Sequence, residues 1–219
     1  MPKRILIQLD CDPQPSTFDS IVAIDAGAEM LLRHGGVTPD SAVALVHGAM
    51  FTRGGADLAS TAIFVGGSDV VAAEAVFDRV KRTFFGPVRT SVLLDPAGAN
   101  TTASAAVVAA GRHLPFAEPT AAAACRGLVL GGSGPVGQRV ARLLAGKGLA
   151  VAVASRSLAR AAAACRRIAD AVPGSRLEPL ESASSTDGGA SLAAAIAAAD
   201  LIVAAGAAGA TLLDAQGLR

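Results

Sequence analysis

The sequence predicts an α/β protein of two lobes, each built on a parallel sheet with helices on its faces. Three observations carry that prediction. Short β-rich apolar runs alternate with longer helical ones along the whole chain. A strand-like run, a glycine turn and a helix start follow one another over residues 127–139. Residues 112–126 hold Pro115 and Pro119 and little periodicity, the mark of a connection between folded parts. The expected organisation is a first lobe over 1–112, a hinge over 113–126 and a second lobe over 127–219.

In the first lobe, residues 5–9 are apolar and β-rich and form the first strand. Residues 18–33 read as a helix, with Ile21, Ile24, Ala28, Leu31 and Leu32 at helical spacing. Thr38-Pro39-Asp40 opens the next helix, because proline suits the first helical position, and that helix continues over 42–50. Residues 61–65 form a strand closed by Gly66-Gly67. Ser68 is the expected N-cap of a helix over 69–82, whose end carries Arg79, Lys81 and Arg82, where the helix dipole favours cations. Phe85-Gly86-Pro87 breaks the chain before a strand over 89–94, and 100–110 is an Ala-rich helix. The second lobe alternates strand 127–131, helix 135–146, strand 149–154, helix 157–171 and a short strand over 176–180. A polar loop over 182–189, a helix over 190–199, a strand over 201–205 and the start of a helix over 210–218 complete it.

The chain has 219 residues, 52% hydrophobic and 17% charged, which excludes disorder and suffices to bury two cores. A net charge of +1 argues against nucleic acid as a partner. Cys11, Cys125 and Cys165 are odd in number and lack metal-ligand spacing, so no metal is expected and a reducing, cytoplasmic setting is. The first apolar run is too short for a signal peptide and ends at Asp10. Residues 190–213 are nearly uncharged, but Asp200 and Gly206 interrupt them, and a helix followed by a buried strand accounts for them better than a membrane span.

Gly132, Gly134 and Gly137 fit the G-x-G-x-x-G dinucleotide fingerprint, in which the glycines permit a tight turn, close approach of a pyrophosphate and close helix–strand packing. Together with Ser133, Pro135 and Val136 they form the expected pyrophosphate site, since the helix that follows offers free N–H groups and a positive dipole end. The second lobe is therefore expected to be Rossmann-like. Its second strand ends in Ser155-Arg156-Ser157, where an NAD site places an acidic residue on the ribose. A guanidinium flanked by hydroxyls, with Arg160 four residues on, suits a 2′-phosphate instead, so the expected cofactor is NADP. Ala205 and Gly206 form the loop expected near the nicotinamide. A full lobe of this kind has more strands beyond that point, so this one is expected to be incomplete.

Ligands in open α/β sheets bind beyond the carboxyl ends of strands. The substrate-binding candidates placed there are Thr17, Asp19, Thr52, Arg53, Asp95, Asn100 and Thr102. Asp10 and Asp12 lie at a strand end too, but beside Pro13 they read as turn chemistry. Asp19 and Asn100 are equally placed to cap helices. His34, His47 and His113 show no ligand spacing and no Ser–His–acid order stands out, so the catalytic residues are unassigned.

Phe18-Asp19, Gly35-Gly36-Val37-Thr38-Pro39-Asp40, Phe51-Thr52-Arg53-Gly54-Gly55, Ser60-Thr61-Ala62-Ile63-Phe64-Val65-Gly66-Gly67, Phe84-Phe85-Gly86-Pro87, Leu94-Asp95 and Asn100-Thr101-Thr102 form a specific set with the glycine turn and Ser155-Arg156. In these the chain resembles the NADP-dependent methylene-tetrahydromethanopterin dehydrogenases of methylotrophic bacteria. The resemblance implies a pterin-binding first lobe, an NADP-binding second lobe, a cleft between them and a homo-oligomer whose small-molecule partner is a reduced pterin. It implies hydride transfer between methylene-tetrahydromethanopterin and NADP, in one-carbon metabolism and formaldehyde oxidation. The methylene carbon bridges two nitrogens, whose lone pairs stabilise the methenyl cation that hydride loss leaves. No proton leaves in that step, which accords with the missing acid–base pair. Family members continue past the position matching Arg219, which puts the completeness of the second lobe in question. Two alternatives stay open: a methylene-tetrahydrofolate dehydrogenase, and a truncated, non-catalytic NADP-binding protein. The bifunctional folate enzymes use a Tyr and a Lys in the first lobe, and this chain has no Tyr.

Overall fold

The computed structural model describes residues 2–182, 188–207 and 209–214. The chain divides into two compact units, Met1–Gly98 and Ala99–Arg219. Strands and helices alternate in both, and each unit holds one four-stranded parallel sheet.

The first unit runs β1 (Ile5–Asp10), α1 (Thr17–Asp25), β2 (Met30–His34), α2 (Pro39–Phe51), β3 (Thr61–Gly66), α3 (Val70–Thr83) and β4 (Ser91–Leu94). Its strand order is β2-β1-β3-β4. Ile7, Leu9, Ile63 and Val65 point to one face and pack with Val46 and Met50 of α2 and Val76 and Val80 of α3. On the opposite face the buried Gln8 accepts a hydrogen bond from the Ser20 hydroxyl of α1, at 3.0 Å. That contact is polar, and Phe18, Ile21, Val22 and Ile24 of α1 remain exposed.

One expected element splits in two. The helix expected over 18–33 ends at Asp25, and Met30–His34 pairs in parallel with β1, Ile5 against Met30 and Leu9 against His34. Gly27 sits at φ +101°, a conformation a continuing helix cannot contain. Ladder bonds to β1 outweigh the local periodicity there. A second correction is smaller: Asp69, not Ser68, caps α3, its carboxylate accepting from the N–H groups of Val71 (2.9 Å) and Ala72 (3.0 Å). Thr38 caps α2 as expected, in a reciprocal box with Ser41.

The second unit runs α4 (Ala99–Ala110), α5 (Pro119–Ala124), β5 (Arg126–Leu130), α6 (Pro135–Gly146), β6 (Ala150–Ser155), α7 (Leu158–Ala171), β7 (Arg176–Glu181), α8 (Gly188–Ala197) and β8 (Leu201–Ala204). The strand order is β7-β6-β5-β8. Ala103 and Val107 of α4, Val140 and Leu144 of α6 and Ala164 and Ile168 of α7 cover one face of the sheet. Leu192 and Ile196 of α8 cover Leu128, Leu130 and Leu180 on the other. The segment 113–126, expected as a bare hinge, contains α5, and α4 belongs with the second unit because it packs against α6. Residues 210–214 are bends and coil where a helix was expected to start. Its continuation over 215–219 lies outside the described residues, as do 183–187 of the polar loop. Among the described residues no helix is long and apolar enough to cross a membrane.

Candidate functional site

In the first unit the chain leaves β1 toward β2 on one side and returns with β3 on the other. The loops at the two carboxyl ends diverge at such a switch point and open a crevice. Asp10, fully buried, ends β1 beneath it. Its carboxylate accepts from the N–H of Asp12 (2.9 Å), the N–H of Ser16 (2.9 Å) and the amide of Gln8 (3.4 Å). Asp12 accepts from the N–H (2.9 Å) and the hydroxyl (2.8 Å) of Ser68. These two carboxylates brace the loops that follow β1 and β3, as turn chemistry predicts. Asp10→Ala strands buried donors, and a loss of about 2–5 kcal/mol in the first unit's stability is expected, to be read from urea unfolding.

Asp19 differs. Ser16 caps α1 by accepting from the Asp19 N–H at 3.1 Å, so the Asp19 carboxylate is not the cap. It lies over the end of β3, where a Cβ added to Gly66 would stand 3.5 Å from its Oδ2. Burial pushes its pKa above the usual carboxylate value; a Ser16 hydrogen bond opposes that shift, and the charges of Asp10 and Asp95 add to it. Asp95 is buried just past β4, its N–H donating to the Val65 carbonyl at 3.0 Å. Thr17 opens α1 and is exposed. Cys11 nearby is held as a thiol, its pKa pushed up to about 11 by burial and by Asp10, Asp12 and Asp69.

Two expected substrate residues of the first unit, Thr52 and Arg53, lie at the other edge of the sheet. Thr52 and Arg53 follow α2, which returns the chain to the amino edge of the sheet, a strand length of ~17–20 Å from the crevice. There Thr52 Oγ1 donates to the Gly48 carbonyl (2.9 Å), and Arg53 Nη1 donates to the carbonyls of Lys3 (2.8 Å) and Ser60 (3.2 Å) and to Thr61 Oγ1 (3.3 Å). Arg53 thus ties together the entries to β1 and β3. Asn100 belongs to the second unit, where its Oδ1 accepts from Arg139 Nε and braces α4 against α6. Thr102, also in α4, is exposed.

The second unit has its own switch point between β5 and β8. The glycine turn follows β5 and opens α6. A Cβ on Gly132 would stand 2.6 Å from Val153 Cγ1, and one on Gly137 would stand 2.5 Å from the Gly131 carbonyl oxygen and 2.8 Å from Gly132 Cα. Gly134 is freer, its nearest neighbour the Gly131 oxygen at 3.3 Å. The three fingerprint positions therefore differ in kind: Gly132 and Gly137 are required by packing, while Gly134 leaves open the approach to the helix. Gly134 is also the N-cap of α6, with no side chain to satisfy the first N–H groups. Pro135 has none, and those of Val136 and Gly137 have no partner among the described residues. An anion fits that vacancy of donors.

Ser155, buried at the end of β6, pairs with the Ser133 hydroxyl at 2.8 Å. Arg156 and Arg160 follow, exposed and without hydrogen bonds or ion pairs from their side chains among the described residues, with Ser157 capping α7. Ala205 follows β8, its N–H donating to the Leu130 carbonyl at 2.8 Å. A Cβ on Gly206 would stand 2.7 Å from Leu212 Cδ1, so Leu212 covers that glycine. Two residues of this site escaped the sequence reading. Gly131, at φ +72°, would place a Cβ 2.8 Å from the Ala205 oxygen; the Gly131-Gly132 doublet was its signal. Gln138, which contacts the turn, had none. Among the described residues no group of three or more His, Cys, Asp or Glu is arranged to hold a metal ion.

Residues 17–97 match the N-terminal domain of methylene-tetrahydromethanopterin dehydrogenase. A protein of Methylorubrum extorquens named bifunctional protein MdtA is 52% identical over 107 residues, 49% of this chain and 37% of its own length. The NAD(P)-dependent methylenetetrahydromethanopterin dehydrogenase of the same organism is 36% identical over 136 residues, 62% of this chain and 46% of its own length. The chain spans less than half the length of these curated relatives. In the domain that spans most of its first unit, the chain is thus similar to the methylene-tetrahydromethanopterin dehydrogenases.

Proposed function

We propose that the protein is an NADP-dependent dehydrogenase that transfers hydride between methylene-tetrahydromethanopterin and NADP, its first unit binding the reduced pterin and its second the dinucleotide. The observation that carries this reading is a matched N-terminal domain followed by a glycine turn whose helix presents unpaired N–H groups. The name of the second relative supports both the substrate and the cofactor class.

When bound, NADP supplies the hydride acceptor. Gly132–Gly137 hold the pyrophosphate, the N–H groups of Val136 and Gly137 donating to it. Arg156 and Arg160 pair with the 2′-phosphate, and Ala205 and Gly206 border the nicotinamide side. In the first unit Asp19 and Thr17 bind the pterin. The Asp19 carboxylate holds the cationic character that develops as hydride leaves, because a charge placed where the transition state needs it lowers the barrier. A cytoplasmic homo-oligomer acting on a small molecule follows from the same reading.

The test is NADPH formation by the protein with methylene-tetrahydromethanopterin and, separately, with methylene-tetrahydrofolate. Turnover with the first is expected to dominate. Turnover with the folate carrier alone moves the protein to the folate enzymes, and NADP binding without turnover of either substrate leaves a non-catalytic nucleotide binder.

Asp19→Asn gives an independent check. The folded-state pKa of Asp19 is raised, so the folded protein holds this proton more tightly than the unfolded chain. Its contribution to stability is present at low pH and is lost as pH rises through the raised value. Asn cannot ionise, so the variant is expected to unfold at a higher temperature than the parent at neutral pH and to match it in acid. Pterin binding should weaken at the same time. A variant that is more stable and equally active removes Asp19 from the site.

A further inference from the structure

We propose that Gln138 is a positioning residue of the dinucleotide turn, held in one orientation by Arg167, and that this clamp sets how tightly the pyrophosphate is bound. The inference rests on the dinucleotide reading of the second unit. Gln138 lies in the first turns of α6, and its Nε2 donates to the Ser133 carbonyl at 2.6 Å. Its Oε1 accepts from Arg167 Nε (3.2 Å) and Nη2 (2.9 Å) across from α7. A carboxamide has one oxygen and one nitrogen, and the two partners make opposite demands on it. A guanidinium only donates and a carbonyl only accepts, so a single orientation satisfies both. The partners thus assign the flip.

Ser133 is held from a second side by its hydroxyl, which pairs with Ser155 at the end of β6. Arg167 on α7, Gln138 on α6, Ser133 in the turn and Ser155 on β6 form one chain of contacts around the pyrophosphate position. The neighbouring N–H groups are divided by role. Those of Gly132 and Gly134 are used internally, donating to the Ala154 (2.8 Å) and Gly131 (2.9 Å) carbonyls. Those of Val136 and Gly137 point from the first turn of the helix without partners among the described residues. Fixing the Ser133 carbonyl fixes the peptide plane between the internally bonded part of the turn and the free donors. Donors held in place before binding lose less freedom on binding. Arg160 lies seven residues before Arg167, on the same stripe of α7. The helix that orients Gln138 therefore also carries one of the 2′-phosphate arginines.

The clamp acts on the part that NAD and NADP share, whereas Arg156 and Arg160 act on the part that only NADP carries. This separates the two roles experimentally. Gln138→Leu and Arg167→Gln should be measured by titration calorimetry against NADP, NAD and adenosine 2′-monophosphate, which lacks the pyrophosphate, with thermal unfolding of each variant. Gln138→Leu is expected to weaken NADP and NAD by the same factor, roughly three- to tenfold for one hydrogen bond, with adenosine 2′-monophosphate unchanged. Arg167→Gln is expected to give a smaller loss of the same pattern, because the amide keeps its donor but not its fixed orientation. A merely structural role would lower the melting temperature and weaken all three ligands together. Unchanged NADP affinity in Gln138→Leu, or a loss confined to NADP, overturns the inference. Gly134→Val controls for the underlying reading: if it binds NADP as the parent does, the dinucleotide site is misplaced and the clamp falls with it; if it does not bind and Gln138→Leu binds normally, only the clamp is refuted.

Discussion

Gly137→Ala is expected to destabilise the second unit and abolish NADP binding, whereas Gly134→Val should abolish binding and leave stability near that of the parent. The difference follows from what each new side chain meets. At Gly137 the first added carbon would stand 2.5 Å from the Gly131 oxygen and 2.8 Å from Gly132 Cα, both backbone atoms of the turn. Backbone cannot rotate away as a flexible side chain would, so α6 must lift from the end of β5. Overpacking of this kind costs about 1–3 kcal/mol, which lowers the melting temperature by roughly 4–12 °C in a domain of this size. The same movement displaces the free N–H groups of the helix from the phosphate position.

At Gly134 the nearest atom to an added Cβ is the Gly131 oxygen at 3.3 Å, and the next, the Ala205 oxygen, is at 3.9 Å. The fold tolerates that contact after a small adjustment. The branched methyl groups of valine then occupy the approach to the helix N-terminus. Loss of several hydrogen bonds to a charged group, each about 1.5–3 kcal/mol, predicts a fall in affinity of at least about a hundredfold. Thermal unfolding and titration of NADP on the same preparations decide the matter. If Gly134→Val binds NADP normally, the turn does not hold a pyrophosphate.

The contrast between these two glycines also shows what the sequence can and cannot reveal. The strand–turn–helix order around the turn was readable, because a β-rich run, close glycines and a proline at the first helical position are local signals. The helix expected over 135–146 is observed as Pro135–Gly146. Residues 18–33 misled for the opposite reason. Ile21, Ile24, Leu31 and Leu32 keep helical spacing, and only pairing with β1, more than twenty residues away in sequence, makes the second half a strand. Positive φ at Gly27 marks the break, yet glycine alone does not announce it.

Thr52 and Arg53 were misplaced although the element order held the answer. Loops leaving strands lie at the carboxyl edge of a parallel sheet, and loops leaving helices lie at the amino edge. Residues 52–55 follow a helix, so they belong with the strand entries, where Arg53 binds the Lys3 carbonyl. Asp10 and Asp19 were harder to tell apart, since both are acids near the end of β1. Only the hydrogen bonds separate them: Asp10 is consumed by two N–H groups and the Gln8 amide, whereas the capping of α1 falls to Ser16 and not to the Asp19 carboxylate. Gln138 was invisible for a related reason. Its partners are a main-chain carbonyl and an arginine 29 residues away, and neither leaves a pattern in composition or spacing.

Arg156→Ala should weaken NADP about ten- to a hundredfold and leave NAD unchanged, one charge-assisted hydrogen bond to a phosphate being worth about 1.5–3 kcal/mol. The structure supports this selectivity by what it withholds from the arginine. Arg156 follows the last residue of β6, and no carboxylate or carbonyl among the described residues engages its guanidinium, so the group is available to a ligand. Ser155 beside it is turned inward to Ser133 and cannot take the place of the acidic residue that an NAD site uses for the ribose. On the proposed reading, removing Arg156 removes a contact made only to the 2′-phosphate. Because the side chain is exposed, salt should erode the preference for NADP over NAD in the parent and have little left to erode in the variant. Arg160→Ala should show the same pattern more weakly, since Arg160 lies within the first turn of α7, whereas Arg156 directly follows the strand end. Equal losses for NADP and NAD in Arg156→Ala would mean that the arginine supports the fold of the β6–α7 loop and reads no phosphate. The cofactor preference would then have to come from another part of the second unit.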